Sequence, residues 1–305
     1  MIDIQKIQTF LCAAETLSLS EAAKQLHLTQ PAVSHQVKLL EQELGVKLFI
    51  RTNTGLKMTE AGELLMPWSR RLLHDVDDLS DMMSSTQEVF AGELRIMCST
   101  CVGKYLLPQL AARFCLRYPK IKARILACAP ERTTLRLLEG EGHLGIVSKE
   151  ADDKGVESQE FFHDKIELIV PANHRWAKKT FIEPAELISE PLLLREEVSS
   201  TRWVMLTELS KFDISLEDLN IFLEIGSVEG VLEAISNGYG VSFVSEVASR
   251  YLKELGRVVS VPVEGLNMQR TIYMVRKRIS APHRPRDVFW NFIHAPENSD
   301  LLCKP

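Results

Sequence analysis

Apolar residues recur at helical spacing from the start of the chain, and Ile4, Ile7, Leu11 and Ala14 predict a first helix. Ser18 offers a cap for a second, short helix over 21–26, with Glu21 three residues on completing a capping box. Thr29 is the next cap candidate, and Pro31 suits the first turn it opens. Val33, Val37, Leu40 and Leu44 then form one apolar stripe, and Gly45 stands where the helix should end. Past Gly45 the period changes. Short strand-like pieces at 48–50 and 56–58 flank Asn53-Thr54-Gly55, which predicts a small hairpin. Thr59 caps a long helix carrying Ala61, Leu64, Leu65, Trp68, Leu72, Val76, Leu79 and Met83 on one side. Near-heptad spacing of this kind predicts a partner helix from a second subunit. Pro67 predicts a kink or local opening within it.

Ala91-Gly92 marks a boundary, and strands and helices alternate beyond it, which predicts a parallel-sheet α/β domain. Strands are expected over 93–98, 122–128, 144–148, 166–171, 192–194, 221–224, 241–244 and 270–275. Helices are expected over 104–118, 133–139, 201–209, 228–237, 245–255 and 284–294. The two halves share a rhythm without repeating a sequence, so they read as two lobes with a cleft between them. The expected domains are 1–60, a linker and dimerisation helix over 61–90, and 91–305. Within the last, one lobe takes about 91–163 with 268–305, and the other about 164–267.

Two capped helices followed by a hairpin form a winged helix-turn-helix, which binds duplex DNA by laying its second capped helix in the major groove. With Val33, Val37, Leu40 and Leu44 inward, that helix presents Gln30, Ser34, His35 and Lys38. Gln bonds adenine bidentately and Ser bonds bases or phosphate, while Lys38 and Arg51 suit phosphate positioning. Taken singly, each of these residues fits a plain solvated helix face; the ordered combination carries the reading.

Composition changes this picture in one respect. The 305 residues are 45% hydrophobic and 25% charged, so the chain can bury real cores, but its net charge is −5. Within residues 1–60, Lys6, Lys24, Lys38, Lys47, Arg51 and Lys57 are balanced by Asp3, Glu15, Glu21, Glu41, Glu43 and Glu60. The domain is not broadly basic, so the placement of its cations must supply the attraction to phosphate, and a second copy is needed. No apolar run is long enough to span a bilayer, and the first residues lack the pattern of an export signal. Six irregularly spaced cysteines then point to a reducing, cytoplasmic setting.

The motifs resemble the signature of LysR-type transcriptional regulators. Ser20-Glu21-Ala22-Ala23, Leu28-Thr29-Gln30-Pro31-Ala32-Val33-Ser34, Leu40-Glu41, Leu44-Gly45-Val46-Lys47-Leu48-Phe49, Arg51 and Thr59-Glu60-Ala61-Gly62 carry it densely over residues 4–62. Leu107-Pro108, Phe114, Tyr118-Pro119 and Gly238-Tyr239-Gly240-Val241 carry it more loosely over 92–300. The resemblance implies an α/β chain: a winged helix-turn-helix, a linker-helix dimer, and a two-lobed effector domain like periplasmic binding proteins. It also implies a homotetramer built as a dimer of dimers, DNA bending, and effector control of RNA polymerase at promoter DNA. The family's DNA-contacting positions fall on Gln30, Pro31, Ser34, His35, Lys38 and Arg51. Three departures stand out. His35 replaces a common Arg or Lys, which implies a weaker or pH-dependent contact; Thr54 lies in a wing that is often more basic; and His143 replaces a frequent acidic residue.

Ligands of open α/β sheets bind beyond strand carboxyl ends, near helix N-termini. Ser99-Thr100-Cys101 follows the first strand of one lobe, and Ser199-Ser200-Thr201-Arg202 opens a helix in the other. Their hydroxyls and free amides suit a small anionic effector, with Arg202 or Arg195 as its counter-ion. Helix capping alone would also place hydroxyls there. Ala129-Pro130-Glu131 and Gly226-Ser227 are further candidates. Cys98, Cys101 and Cys128 stand at neighbouring strand ends, and the Cys98–Cys101 gap suits a redox pair, so a redox-sensing regulator is the alternative. No metal site or cofactor is expected. The eight histidines are scattered, and all but His35 read as surface or capping residues. An enzyme reading lacks a phosphate loop, nucleophile elbow or acid–base set, and a solute-binding protein would need an export signal.

Overall fold

The computed structural model describes residues 2–52, 55–85, 90–98, 101–279 and 282–302. Helices α1 (Ile4–Thr16), α2 (Leu19–Gln25) and α3 (Gln30–Leu44) turn their apolar stripes onto one buried cluster that includes Ile7, Phe10, Ala22, Val33, Val37 and Leu40. The expected caps form: the Ser18 hydroxyl accepts the Glu21 amide, and the Thr29 hydroxyl accepts the Ala32 amide. Because Ser18 is the cap, α2 begins at Leu19 rather than at residue 21. The Glu21 carboxylate pairs with Lys24 at 2.6 Å instead of turning back to complete the capping box. Gly45 ends α3 with φ 70°, a left-handed conformation that glycine adopts without strain.

β1 (Phe49–Thr52) and β2 (Gly55–Met58) pair antiparallel from Phe49 opposite Met58, forming the wing. The tip residues Asn53 and Thr54 lie outside the described residues. α4 (Glu60–Ser85) follows and continues through Pro67 without a break. Its apolar residues do not share one face. Ala61 and Leu65, with Met66 and Leu73, pack on the α1–α3 core, whereas Leu64, Trp68, Leu72, Leu79 and Met83 are exposed.

The remaining elements are β3 (Gly92–Cys98), α5 (Cys101–Arg117), β4 (Ile121–Ala127), α6 (Pro130–Leu138), β5 (Leu144–Val147), β6 (Val156–Pro171), β7 (Leu192–Arg195), α7 (Ser200–Leu209), β8 (Ile221–Ile225), α8 (Val228–Ser236), β9 (Ser242–Ser245), α9 (Glu246–Glu254), β10 (Val258–Val261), β11 (Gln269–Lys277) and α10 (Arg284–Phe292). The main sheet has the order β10-β6-β11-β5-β3-β4, with β9 also on β6. It is mixed rather than parallel. β3 runs parallel to β4 and β5, but β11 is antiparallel to both β5 and β6.

The cause is β6. Its segment 156–165 is too polar to read as a strand by itself, yet it pairs with β11 along nearly its whole length and continues into the apolar stretch 166–171. β6 therefore serves two cores. Phe161 joins Leu94, Ile96, Leu107, Phe114 and Phe289 in one lobe. Further along, Ile166 and Leu168 join Trp176, Leu192 and Phe243 in the other, while Ile169 faces Val231, Ile235 and Val244.

Candidate functional site

The exposed side of α3 carries the residues expected to read DNA. Pro31, His35 and Lys38 are exposed, and Gln30 and Ser34 are half-buried beside them. The ion pairs explain how a domain of balanced charge leaves cations available. Lys6 pairs with Glu43 at 2.6 Å, Lys24 with Glu21 at 2.6 Å and Lys47 with Glu41 at 2.7 Å. Glu15 is taken by Arg70 of α4 at 3.1 Å. Among the described residues, no acid pairs with Lys38 on α3 or Lys57 on the wing, and both are exposed. Arg51 lies in β1, on the same wing.

Two motif residues hold the wing against α3 and α4. Glu41 is buried, and one of its oxygens accepts the Leu48 amide at 2.9 Å and the Phe49 amide at 3.3 Å, while Lys47 reaches the other. Burial pushes this carboxyl up, but the Lys47 ammonium and the two amides outweigh it and hold the group below the ordinary glutamate range. Thr59 donates its amide to the Leu48 carbonyl at 3.0 Å. Gly62 lies so close that an added Cβ would stand 2.4 Å from the Leu48 oxygen.

Between the lobes lies a cavity of about 360 Å³. Cys101 and Lys104 of α5, Ala129 and Pro130 at the start of α6, Arg195 at the end of β7, Ser199, Ser200 and Thr201 at the start of α7, and Gly226 all line it. The structure thus brings Cys101 together with the α7 hydroxyls, from opposite lobes. They meet at Arg270, which sequence reasoning missed. Its guanidinium donates to the Ser200 hydroxyl, to the Thr201 hydroxyl at 3.1 Å and to the Cys101 sulfur at 3.4 Å. Its remaining edge pairs with Asp164 at 2.7 Å and 2.9 Å, and Asp164 accepts the Ser245 hydroxyl at 2.6 Å. Asp164 and Arg270 are directly opposed on β6, the strand that runs from one lobe into the other, and β11. Burial pushes the Asp164 carboxyl up, against the pull of Arg270 and Ser245.

The other predicted residues divide. Ser99 and Thr100 lie outside the described residues. Arg202 is not part of the lining: it donates to the Arg195 carbonyl at 3.1 Å and pairs with Glu224 at 2.7 Å. Arg195 does line the cavity, clasped by its neighbour Glu196 with two bonds of 2.6 Å. Lys104 faces Glu229 of α8 across the cleft at 3.8 Å. Ser227 caps α8. Cys98 and Cys128 also line the cavity. Burial raises the Cys101 thiol, against the pull of Arg270, which lowers the thiolate fraction a redox sensor needs. Among the described residues no group of His, Cys, Asp and Glu side chains could hold a metal ion, and no helix is long and apolar enough to cross a membrane. His283 is a capping residue, its ring accepting the Arg286 amide at 3.1 Å at the start of α10, whereas His143 neither caps a helix nor lies on the surface; both are buried, with ring centroids 3.8 Å apart. Asp164 had no distinct signal in the sequence, standing between His163 and Lys165 in a polar run.

Comparison with known proteins agrees with this geometry. Residues 4–63 match the model for bacterial regulatory helix-turn-helix proteins of the lysR family, and residues 87–296 match the LysR substrate binding domain. An uncharacterized HTH-type transcriptional regulator of Methanocaldococcus jannaschii is 32% identical over 292 residues, covering 95% of this chain and 98% of that protein. The structure of full-length CbnR in complex with its target DNA superposes with a TM-score of 0.74 at 20% identity, covering 96% of this chain and 99% of that one. The regulatory domain of Synechocystis CcmR, solved in complex with 2-PG, superposes with a TM-score of 0.60 at 23% identity over 67% of this chain and 96% of its own.

Proposed function

Because the chain belongs to the LysR family of transcriptional regulators, we propose that it binds promoter DNA as a homo-oligomer and answers to a small aliphatic anion held between its two lobes. The convergence of Arg270, Arg195, Lys104 and the amino end of α7 on one cavity carries this reading. Arg270 and Arg195 are held by Asp164 and Glu196, so negative charge on the ligand is favoured by the amino end of α7 and by Lys104, whose pair with Glu229 is long at 3.8 Å. Among the described residues the lining contains no aromatic side chain, and about 360 Å³ suits a molecule of a few carbons bearing phosphate or carboxylate. The CcmR regulatory domain, which shares this fold, was solved with 2-PG, in keeping with such a ligand.

On this reading Gln30, Ser34, His35 and Lys38 face the major groove, with Pro31 at the helix start, and Arg51 and Lys57 approach the backbone from the wing. The exposed Leu64–Trp68–Leu72 side of α4 meets the same helix of a second subunit, and two such dimers form a tetramer. On the same reading the chain divides into 1–60, 61–90 and 91–305, with β6 passing from one lobe into the other. Ligand closes the cleft by binding the closed state more tightly, and the spacing of paired readers and their contact with RNA polymerase change with it.

The test is a thermal-shift screen of short phosphorylated and dicarboxylic acids against the full chain, repeated with Lys104→Ala. A hit that the variant weakens supports the reading. Stabilisation only by aromatic or cationic compounds, or hits indifferent to Lys104, overturns it.

A further inference from the structure

Two elements that start at the cleft end against the linker helix. α6 begins at the cavity wall with Ala129 and Pro130 and runs about 13 Å, at 1.5 Å per residue, to Leu138. β11 begins at the cavity floor with Arg270 and reaches Lys277 roughly 20 Å away. Their far ends meet: the Lys277 ammonium donates to the Leu138 carbonyl at 3.4 Å. α4 is seated on this junction. His74 Nδ1 contacts the Gly140 carbonyl, and a Cβ at Gly140 would stand 3.6 Å from the Arg71 side chain. Lys277 is held below the ordinary lysine range by burial and by the Arg71 charge, against the pull of Asp75.

The contact is also ionic. Glu141, 8% exposed at its side chain, gives one oxygen to Arg70 of α4 at 3.2 Å and the other to Arg136 of α6 at 2.5 Å. Arg70 reaches on to Glu15 of α1 at 3.1 Å, and Arg136 reaches back to the sulfur of Cys128, a cavity residue, at 3.7 Å. This nearly buried carboxylate bridges α4 and α6, and Arg70 extends the bridge to α1, so a shift of α6 at the cleft changes which of these charge-assisted contacts are kept.

We propose that α6 and β11 carry the state of the cleft to the Glu141–Arg70–Glu15 ion-pair chain, so that cleft and DNA reader are coupled within a single subunit. The proposal rests on the effector-cleft reading above and adds its route to the reader. By thermodynamic reciprocity, DNA on the reader must then alter the cleft.

The test uses the full chain and a duplex that the wild-type protein itself selects from a random pool. Iodoacetamide alkylation of Cys128 is followed by peptide mass spectrometry, with and without the duplex. A change in rate of about five-fold or more is expected for wild type, at the lower end of ordinary couplings. The change should fall below about two-fold in Arg70→Gln and in Glu141→Gln, where the charge is lost, and persist in Arg113→Gln, which breaks remote contacts with Glu297, Asn298 and Asp300. Each variant must still bind the duplex at the concentration used. A selected duplex that leaves the wild-type Cys128 rate unchanged, or a full response in both junction variants, overturns the relay. If no duplex is selected at all, the reader assignment fails instead. If anions stabilise the chain while Cys128 ignores DNA, the effector reading stands and the relay alone falls.

Discussion

Removing the Asp164 carboxylate is the sharpest test of how the lobes are joined. Asp164 is fully buried and accepts from Nε and a terminal nitrogen of Arg270, whose side chain is 6% exposed. In Asp164→Ala the guanidinium stays in place with Ser200, Thr201 and Cys101 but loses its only anionic partner among the described residues, and the Ser245 hydroxyl loses its acceptor. Breaking one side of a buried pair in this way costs about 3–5 kcal/mol. With a urea slope of about 2–3 kcal/mol per molar, the unfolding midpoint should drop by roughly 1.5 M. Fluorescence is a suitable probe, since Trp176 and Trp290 sit in the two different lobe cores. The double variant Asp164→Leu/Arg270→Met should recover most of the loss, because the burial that pushes Asp164 up also penalises the pair itself, and apolar replacement removes that penalty. A midpoint within about 0.3 M of wild type for the single variant, or a double variant no better than the single, would refute a buried, mutually dependent pair.

Glu41 sets a pH dependence. Its carboxyl is lowered in the folded state, so its contribution is complete above the ordinary glutamate range and is lost as pH falls through the lowered value. Acid titration of stability should therefore flatten in Glu41→Gln relative to wild type, and identical curves would remove the assignment. Gly62→Ala should cost the reader about 1–3 kcal/mol, since the new Cβ meets backbone that cannot step aside, and calorimetry of the full chain would detect it. Lys38→Ala should weaken DNA binding on all sequences alike and reduce the slope of log affinity against log salt by about 1, as read by fluorescence anisotropy. Trp68→Glu with Leu72→Glu places charge on the exposed side of α4, and sedimentation should show smaller species; unchanged oligomers would mean that the stripe is not the subunit contact.

The reader was legible because its signals are local. A cap, the stripe behind it and the closing glycine lie within one helix, so Ser18, Thr29, Val33 and Gly45 could each be placed from neighbours a few residues away. The wing was legible for the same reason, although the partnership of Glu41 with the Leu48 and Phe49 amides was not. The cleft divides on the same principle. Hydroxyl-rich helix starts announce themselves, and Ser199, Ser200 and Thr201 do line the cavity. The charge that organises them comes from Arg270 and Asp164, about a hundred residues apart, and is set by a strand register that no periodicity reveals. The segment 156–165 was overlooked because its polar residues are stabilised by pairing with β11 rather than by burial, as the 2.8 Å bond of Arg276 to Glu157 illustrates. Arg202 misled for a comparable reason: Glu224, on the strand beside β7, draws it off the cavity.

The position of β11 has a consequence for how the chain is made. β5 ends at Val147, yet its antiparallel neighbour begins only at Gln269. At ordinary translation speeds of about 5–20 residues per second, roughly 6–24 seconds separate their emergence from the ribosome. Throughout that interval the edge of β5 and the face awaiting Phe289 and Trp290 have no native cover. The lobe that starts first therefore finishes last. A nascent chain paused between those points is the species most exposed to aggregation, and the one a chaperone would hold longest.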